Sequence, residues 1–271
     1  MTGPSADRPD RVHAVLLDAL AAVDTACRDL GVDYWLDGGT LLGAVRHGGP
    51  IPWDDDIDLC MLRADFERFA GAGRGRLAPQ YQLRTPTDDP YIPVSAKVYV
   101  AGTHIANDYA RRHGLPGTRE DGLFVDVVVL DPVSRFALVR RAERVLGGLV
   151  GARPWAAALA RSPELTRPRR LRWKVVAWTP DRRAGAMRRY LMRRARRRPG
   201  DLLGPRADGL HRERTFRRAD IFPLGTIDFG GLTVRAPRDP DAYLRAQYGP
   251  DYLVPPPPEQ RRRHGDVTFD S

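Results

Sequence analysis

Three features of the 271-residue chain predict a mixed α/β (α+β) fold, a mixed sheet flanked by helices and interrupted by a basic helical insertion. Helical spacing and strand alternation interleave from residue 11 to 132. Gly122-Leu-Phe-Val-Asp-Val-Val-Val-Leu-Asp-Pro132 is an almost unbroken apolar run of the kind found in a buried strand. Strand-like signals return at 221–237, after a long arginine-rich stretch, so one core is split around an insertion. With 42% hydrophobic residues the chain can bury a sizeable core. The organisation expected is a disordered N-terminus at 1–10, core at 11–134, helical insertion at 135–200, the rest of the core at 201–255 and a mobile tail at 256–271.

From Arg11 to Leu30, residues Val12, Val15, Leu16, Ala19, Leu20, Val23 and Leu30 fall mostly at i, i+3 and i+4, the stripe of an amphipathic helix ending at Gly31. Val32 to Leu36 predicts a short strand, running through Asp37 into a Gly38-Gly39-Thr40 turn. Leu41 to Val45 supplies good helix formers, which places Thr40 near a helix N-terminus, where free N–H groups and the helix dipole favour an anion. After Arg46, His47 and a Gly/Pro loop, the chain alternates from Asp56 to Met61. Asp56 and Asp58 then share one strand face, with Asp54 joining them if the backbone stays extended, while Ile57, Leu59 and Met61 face the core. Arg63 to Ala70 predicts a short helix. Tyr81 to Val100 predicts two strands around Asp88, Asp89 and Pro90, with Lys97 in the second, and 102–120 reads as a loop. Asp126 lies mid-strand between Val125 and Val127, and Asp131 before Pro132 reads as a turn residue. A hairpin turning at Gly230 and Gly231, then a helix from Asp239 or Asp241 to Gln247, close the core.

The net charge of +10 is unevenly spread. Residues 135–199 hold twenty Lys or Arg against three acids, about +17, leaving the remainder near −7. Trp155, Trp173 and Trp178 interleave with these arginines. A solvated basic face, an anionic lipid surface, an anionic polymer or nucleic acid would each suit such a segment; residue pattern does not choose between them, although basic helices bearing aromatics favour a membrane surface slightly. No run approaches the length of a membrane span, and the first ten residues lack the features of a secretory signal. Cys27 and Cys60 have no metal-ligand spacing, and Cys60 reads as a packing residue. The expected location is cytoplasmic, with peripheral contact at the inner face of the membrane left open.

The acidic half carries the chemistry. Carboxylates at i and i+2 on a strand can hold one or two divalent cations, and Mg²⁺ (or Mn²⁺) is the usual choice where phosphates complete the shell. A charge inside a buried strand is costly unless paired or metal-bound, which makes Asp126 a third carboxylate for the same cation. A Gly-Gly turn opening a helix, an aspartate pair some sixteen residues later and a third aspartate on a distant strand describe a nucleotidyltransferase-like site.

The wording goes further. Gly39-Thr-Leu-Leu-Gly-Ala-Val-Arg-His47 followed by Ile51-Pro-Trp-Asp-Asp-Asp-Ile-Asp58 resembles the LicD family of phosphotransferases, the group that includes fukutin and the fukutin-related protein. Supporting similarity lies in Phe124-Val-Asp-Val127, Phe222-Pro223, Tyr243-Leu244 and Tyr248-Gly249. The resemblance covers about residues 11–132 and 220–255. It implies a nucleotidyltransferase-like fold that moves a phospho-choline, phospho-alditol or related group from a CDP-linked donor to a hydroxyl of a glycan, anionic polymer or small-molecule acceptor, releasing CMP. Under it, Asp54, Asp56, Asp58 and Asp126 would hold Mg²⁺ or Mn²⁺, and Asp126 would be a shared ligand or the base for the acceptor hydroxyl. Gly38, Gly39 and Thr40 would seat phosphate oxygens, and Arg46 or Lys97 would steady the leaving nucleotide. The cysteine cluster behind the zinc site of the fukutin-related protein is missing here, so zinc is not expected. Two rivals remain: transfer of NMP from an NTP to a small molecule such as an antibiotic, and nucleic-acid binding through the basic segment. The latter leaves the acids unexplained, so no nucleic acid is expected.

Overall fold

The computed structural model describes residues 7–85, 88, 95–107, 113–114, 122–196, 200–205, 214–261 and 265–270. The expected turn at Asp89 and Pro90, most of the loop at 102–120 and the chain before Asp7 lie outside them.

Helix α1 spans Asp7–Leu30 and buries Val12, Leu16, Ala19, Leu20 and Val23, the stripe read from the sequence, though it starts four residues earlier. Strand β1 (Trp35–Leu36) is shorter than the predicted Val32–Leu36, and helix α2 (Gly38–His47) begins at the first glycine of the expected turn. Strand β2 (Ile57–Leu62) runs directly into α3 (Arg63–Ala72). There follow β3 (Tyr81–Arg84), β4 (Ala96–Val100), β5 (Thr103–Asn107) and β6 (Phe124–Pro132).

The main sheet runs β1-β2-β6-β4-β3. β2 and β6 are parallel and the other neighbours on this path antiparallel, so the sheet is mixed. The central strand β6 buries Val125, Val127, Val129 and Leu130, as its apolar run predicts.

The insertion is helical: α4 (Ala137–Gly151), α5 (Ala156–Arg161), α6 (Arg167–Trp178) and α7 (Asp181–Arg196). The chain returns through β7 (Leu202–Gly204), which pairs with β6, and β8 (Phe216–Arg217). After the short α8 (Arg218–Ile221), β9 (Gly225–Phe229) and β10 (Leu232–Ala236) form the hairpin expected around Gly230 and Gly231. Helix α9 (Pro240–Tyr248) is capped by Asp239, whose side chain accepts from the Ala242 N–H.

Two expectations need correcting. The segment 256–271, given no structure from sequence, carries β11 (Gly265–Phe269), which pairs antiparallel with β5 inside the stretch read as a loop. Neither strand has a long apolar run, because each needs the other for its backbone partners. Asp131 is no turn residue. It is 1% exposed and bonded twice by Arg63, the first residue of α3, from Nε to Oδ1 at 3.0 Å and from a terminal nitrogen to Oδ2 at 2.6 Å. Both elements leave neighbouring strands at the same level, since Leu62 pairs with Leu130.

Candidate active site

Three strands set the centre of the site. Asp58 on β2 lies directly beside Asp126 on β6, and Asp126 lies directly beside Lys97 on β4. Side chains at matched positions on adjacent strands point to the same face, so register alone aligns two carboxylates and an ammonium in one row. The Lys97 Nζ donates to Asp126 Oδ2 at 2.9 Å and sits 3.5 Å from the Phe124 ring centre. The second carboxylate oxygen, Asp126 Oδ1, is buried and has no hydrogen-bond partner.

The first turn of α2 closes the row from one side. Gly38 has φ +55°, a conformation open to glycine and strained for side chains that carry a Cβ. A Cβ there would stand 2.5 Å from Asp58 Oδ2, and one on Gly39 would stand 2.5 Å from Asp54 Oδ2. The glycines therefore admit two carboxylates to the positive end of the helix dipole. Thr40 Oγ1 accepts from the Asp58 N–H at 2.8 Å, tying helix to strand rather than pointing its lone pairs at solvent. Gly39→Ala is expected to displace Asp54 and lower turnover at least tenfold while leaving the circular-dichroism spectrum intact; steady-state kinetics check it.

The charges are costly as they stand. Burial first, then the carboxylates of Asp56, Asp126 and Asp37, push the Asp58 pKa well above its ordinary value, while Lys97 pulls it down. A divalent cation would relieve both causes. Among the described residues no three His, Cys, Asp or Glu side chains form a ready metal cluster. The fit is thus partial: Asp126 Oδ1 and Asp58 offer hard oxygen to a cation whose remaining positions come from elsewhere. That suits Mg²⁺, which keeps waters and takes phosphate oxygens, better than a metal needing an all-protein cage.

Asp37 is the site residue that sequence reading gave no role. It precedes α2 and is 3% exposed, but its side chain makes no cap bond to the helix. Its Oδ1 instead accepts from the buried Tyr243 hydroxyl of α9 at 2.8 Å, and Arg214 stands 3.7 Å from Oδ2. Tyr243 stacks on Phe216 at 4.0 Å, and Trp35 meets Phe222 edge-on at 5.6 Å. The C-terminal part of the core thus holds the β1–α2 junction. Tyr248 keeps 43% of its surface open, and its phenol pKa is pushed up by desolvation first and then by the charges of Asp37, Asp58 and Asp54, against the pull of Arg214.

Arg46 lies at the other end of α2, about 12 Å along the helix from Gly38. Its Nε donates to His47 at 3.0 Å, its guanidinium lies 5.9 Å from the Trp53 ring centre, and burial lowers its pKa. Arg261 covers the same ring at 4.2 Å. The structure therefore gathers Asp58, Asp126 and Lys97 in one row, brings Asp54 and Asp56 to its edge, and leaves Arg46 at the rim.

Residues 31–97 match the family model described as LicD/FKTN/FKRP, nucleotidyltransferase domain. The chain is 33% identical over 121 residues to the lipopolysaccharide cholinephosphotransferase LicD of Haemophilus influenzae, covering 44% of this chain and 43% of that protein. It is 49% identical over 53 residues to the human ribitol 5-phosphate transferase FKRP, covering 18% of this chain and 11% of that one. Mouse ribitol-5-phosphate transferase FKTN matches at 45% identity over 40 residues, 15% of this chain and 9% of FKTN. The chain thus spans less than half the length of the curated relatives it matches. All three relatives are, by name, transferases of phosphate-containing groups.

Proposed function

We propose, from the match of residues 31–97 to the LicD family model and from the placement of Asp58 beside Asp126, that this chain transfers a phospho-choline, phospho-alditol or related group from a CDP-linked donor to an acceptor hydroxyl, releasing CMP. The observation that carries this reading is the row Asp58–Asp126–Lys97, with one buried Asp126 oxygen lacking a partner. Phosphoryl transfer asks a protein chiefly to position its reactants and neutralise charge. Asp58 and Asp126, with Asp54 and Asp56 at the edge, would hold Mg²⁺ or Mn²⁺, which when bound supplies charge neutralisation at the transferring phosphate.

The chain's own groups take the rest. Asp126 is held by Lys97 in a fixed orientation, and its open oxygen would serve either as a shared metal ligand or as the base that takes the acceptor proton. The first turn of α2 holds the carboxylates in place, and Arg46 with Trp53 forms a cationic, aromatic rim for the nucleotide end of the donor. A lipopolysaccharide-like acceptor follows the name of the Haemophilus relative, and a glycan is the wider acceptor class we propose.

The test is a panel of CDP-linked donors and candidate acceptors with and without Mg²⁺, read by mass spectrometry. Metal-dependent CMP release coupled to acceptor mass gain supports the reading. Pyrophosphate release from an NTP supports nucleotidyl transfer instead, and activity unchanged by chelators removes the metal from the proposal.

A further inference from the structure

The basic helices leave apolar side chains in solvent on the faces turned away from the protein. On α6 the single buried residue is Val176, while Leu171, Val175 and Trp178, spaced i, i+4 and i+7, expose 63%, 63% and 89% of their surface. On α4 the buried residues are Glu143, Gly147 and Gly151, while Leu138 and Val145, seven residues apart, expose 83% and 53%. A helix resting on a soluble core turns such a stripe inward; these two turn it outward. Arg167, Arg172 and Lys174 are exposed around the α6 stripe and Arg141 beside that of α4. The pattern is apolar in the centre and cationic at the flanks, on two separate helices.

We propose that α4 and α6 lie in the plane of an anionic phospholipid bilayer, with Leu171, Val175, Trp178 and Leu138 entering the headgroup–acyl boundary and the arginines meeting lipid phosphates. Charge complementarity and the apolar stripe select this occupant together. A polyanion such as nucleic acid would satisfy the arginines and leave the tryptophan and leucines in water. A second copy of the chain would cover the stripe but press one strongly cationic segment against another. A bilayer answers both needs, because interfacial helices gain from buried apolar area and from anionic lipid alike. No helix among the described residues is long and apolar enough to cross a membrane, so contact would be in-plane. The inference stands apart from the transfer reaction, since it uses no residue of the Asp58–Asp126 site.

Flotation of the full chain with vesicles of phosphatidylcholine alone, or mixed with phosphatidylglycerol, tests it. Binding to the anionic vesicles is expected to be at least tenfold tighter than to the neutral ones. The double variant L171S/W178S should lose about tenfold of that affinity with an unchanged melting curve, while R172E/K174E should abolish the preference for anionic lipid. In vesicles with brominated acyl chains, part of the tryptophan fluorescence should be quenched, and W178F should remove that part. Equal binding to both vesicle types, unchanged binding by L171S/W178S, or a dimer in ultracentrifugation that L171S/W178S dissociates would each overturn the proposal.

Discussion

Asp58→Asn is expected to lower turnover by a factor of about 10²–10³, the loss usual when a group that organises transition-state charge is removed, and yet to raise the melting temperature of the metal-free protein. The two effects share one cause. Burial and the carboxylates of Asp56, Asp126 and Asp37 hold the folded-state pKa of Asp58 above its unfolded value. Such a group contributes fully to stability below its unfolded pKa, and the contribution is lost as pH rises through the folded pKa. At neutral pH and without a cation, Asp58 therefore opposes folding. Asparagine keeps the shape and removes the charge, so the variant gains roughly 2–4 °C for each kcal/mol relieved. The gain over wild type should shrink toward acid pH. Mg²⁺ with CDP should stabilise the wild type and leave Asp58→Asn nearly unchanged, read by differential scanning fluorimetry. Wild-type turnover by Asp58→Asn, with the donor and acceptor confirmed, would remove the catalytic assignment.

Much of this site is legible in the sequence because it is built from local rules. Strand alternation puts Asp58 on the face opposite the Leu59 side chain, and the apolar run around Asp126 marks a buried strand. The register that seats Asp58 beside Asp126 and Lys97 beside Asp126 is a pairing across 68 and 29 residues, which no local pattern encodes. Asp37 escaped for a similar reason. Its type and place say helix cap, but its carboxylate is drawn away by Tyr243, some 200 residues on. The position of Thr40 near a helix start is legible in the sequence. The bond its hydroxyl accepts from the Asp58 N–H is visible only once β2 lies against α2. The strand at 265–269 was missed because its pairing with β5, rather than its composition, makes it a strand.

The Arg63–Asp131 pair is the largest stability effect expected, and it separates two aspartates of one strand. Asp131→Ala is expected to destabilise the protein by about 3–5 kcal/mol, because it leaves the Arg63 guanidinium buried and uncompensated. The melting temperature should fall on the order of 10 °C. The cost belongs to the abandoned charge rather than to the bond. Replacing both partners, as in Arg63→Met with Asp131→Leu, should therefore recover most of the loss, measured by urea unfolding. If the single and double variants proved equally unstable, the pair would be contributing attraction beyond its desolvation. Asp131 lies five residues from Asp126, about 17 Å along β6. Turnover per folded molecule should accordingly stay near wild type in Asp131→Ala at low temperature. Asp126→Asn should show the reverse, losing turnover while its partly exposed pair with Lys97 costs little in unfolding. One strand thus carries an aspartate buried in an ion pair of the fold at one end and, near the other, the aspartate proposed to serve the transfer. Only the first is fully satisfied by the protein's own groups, whereas Asp126 keeps a buried oxygen open for a ligand.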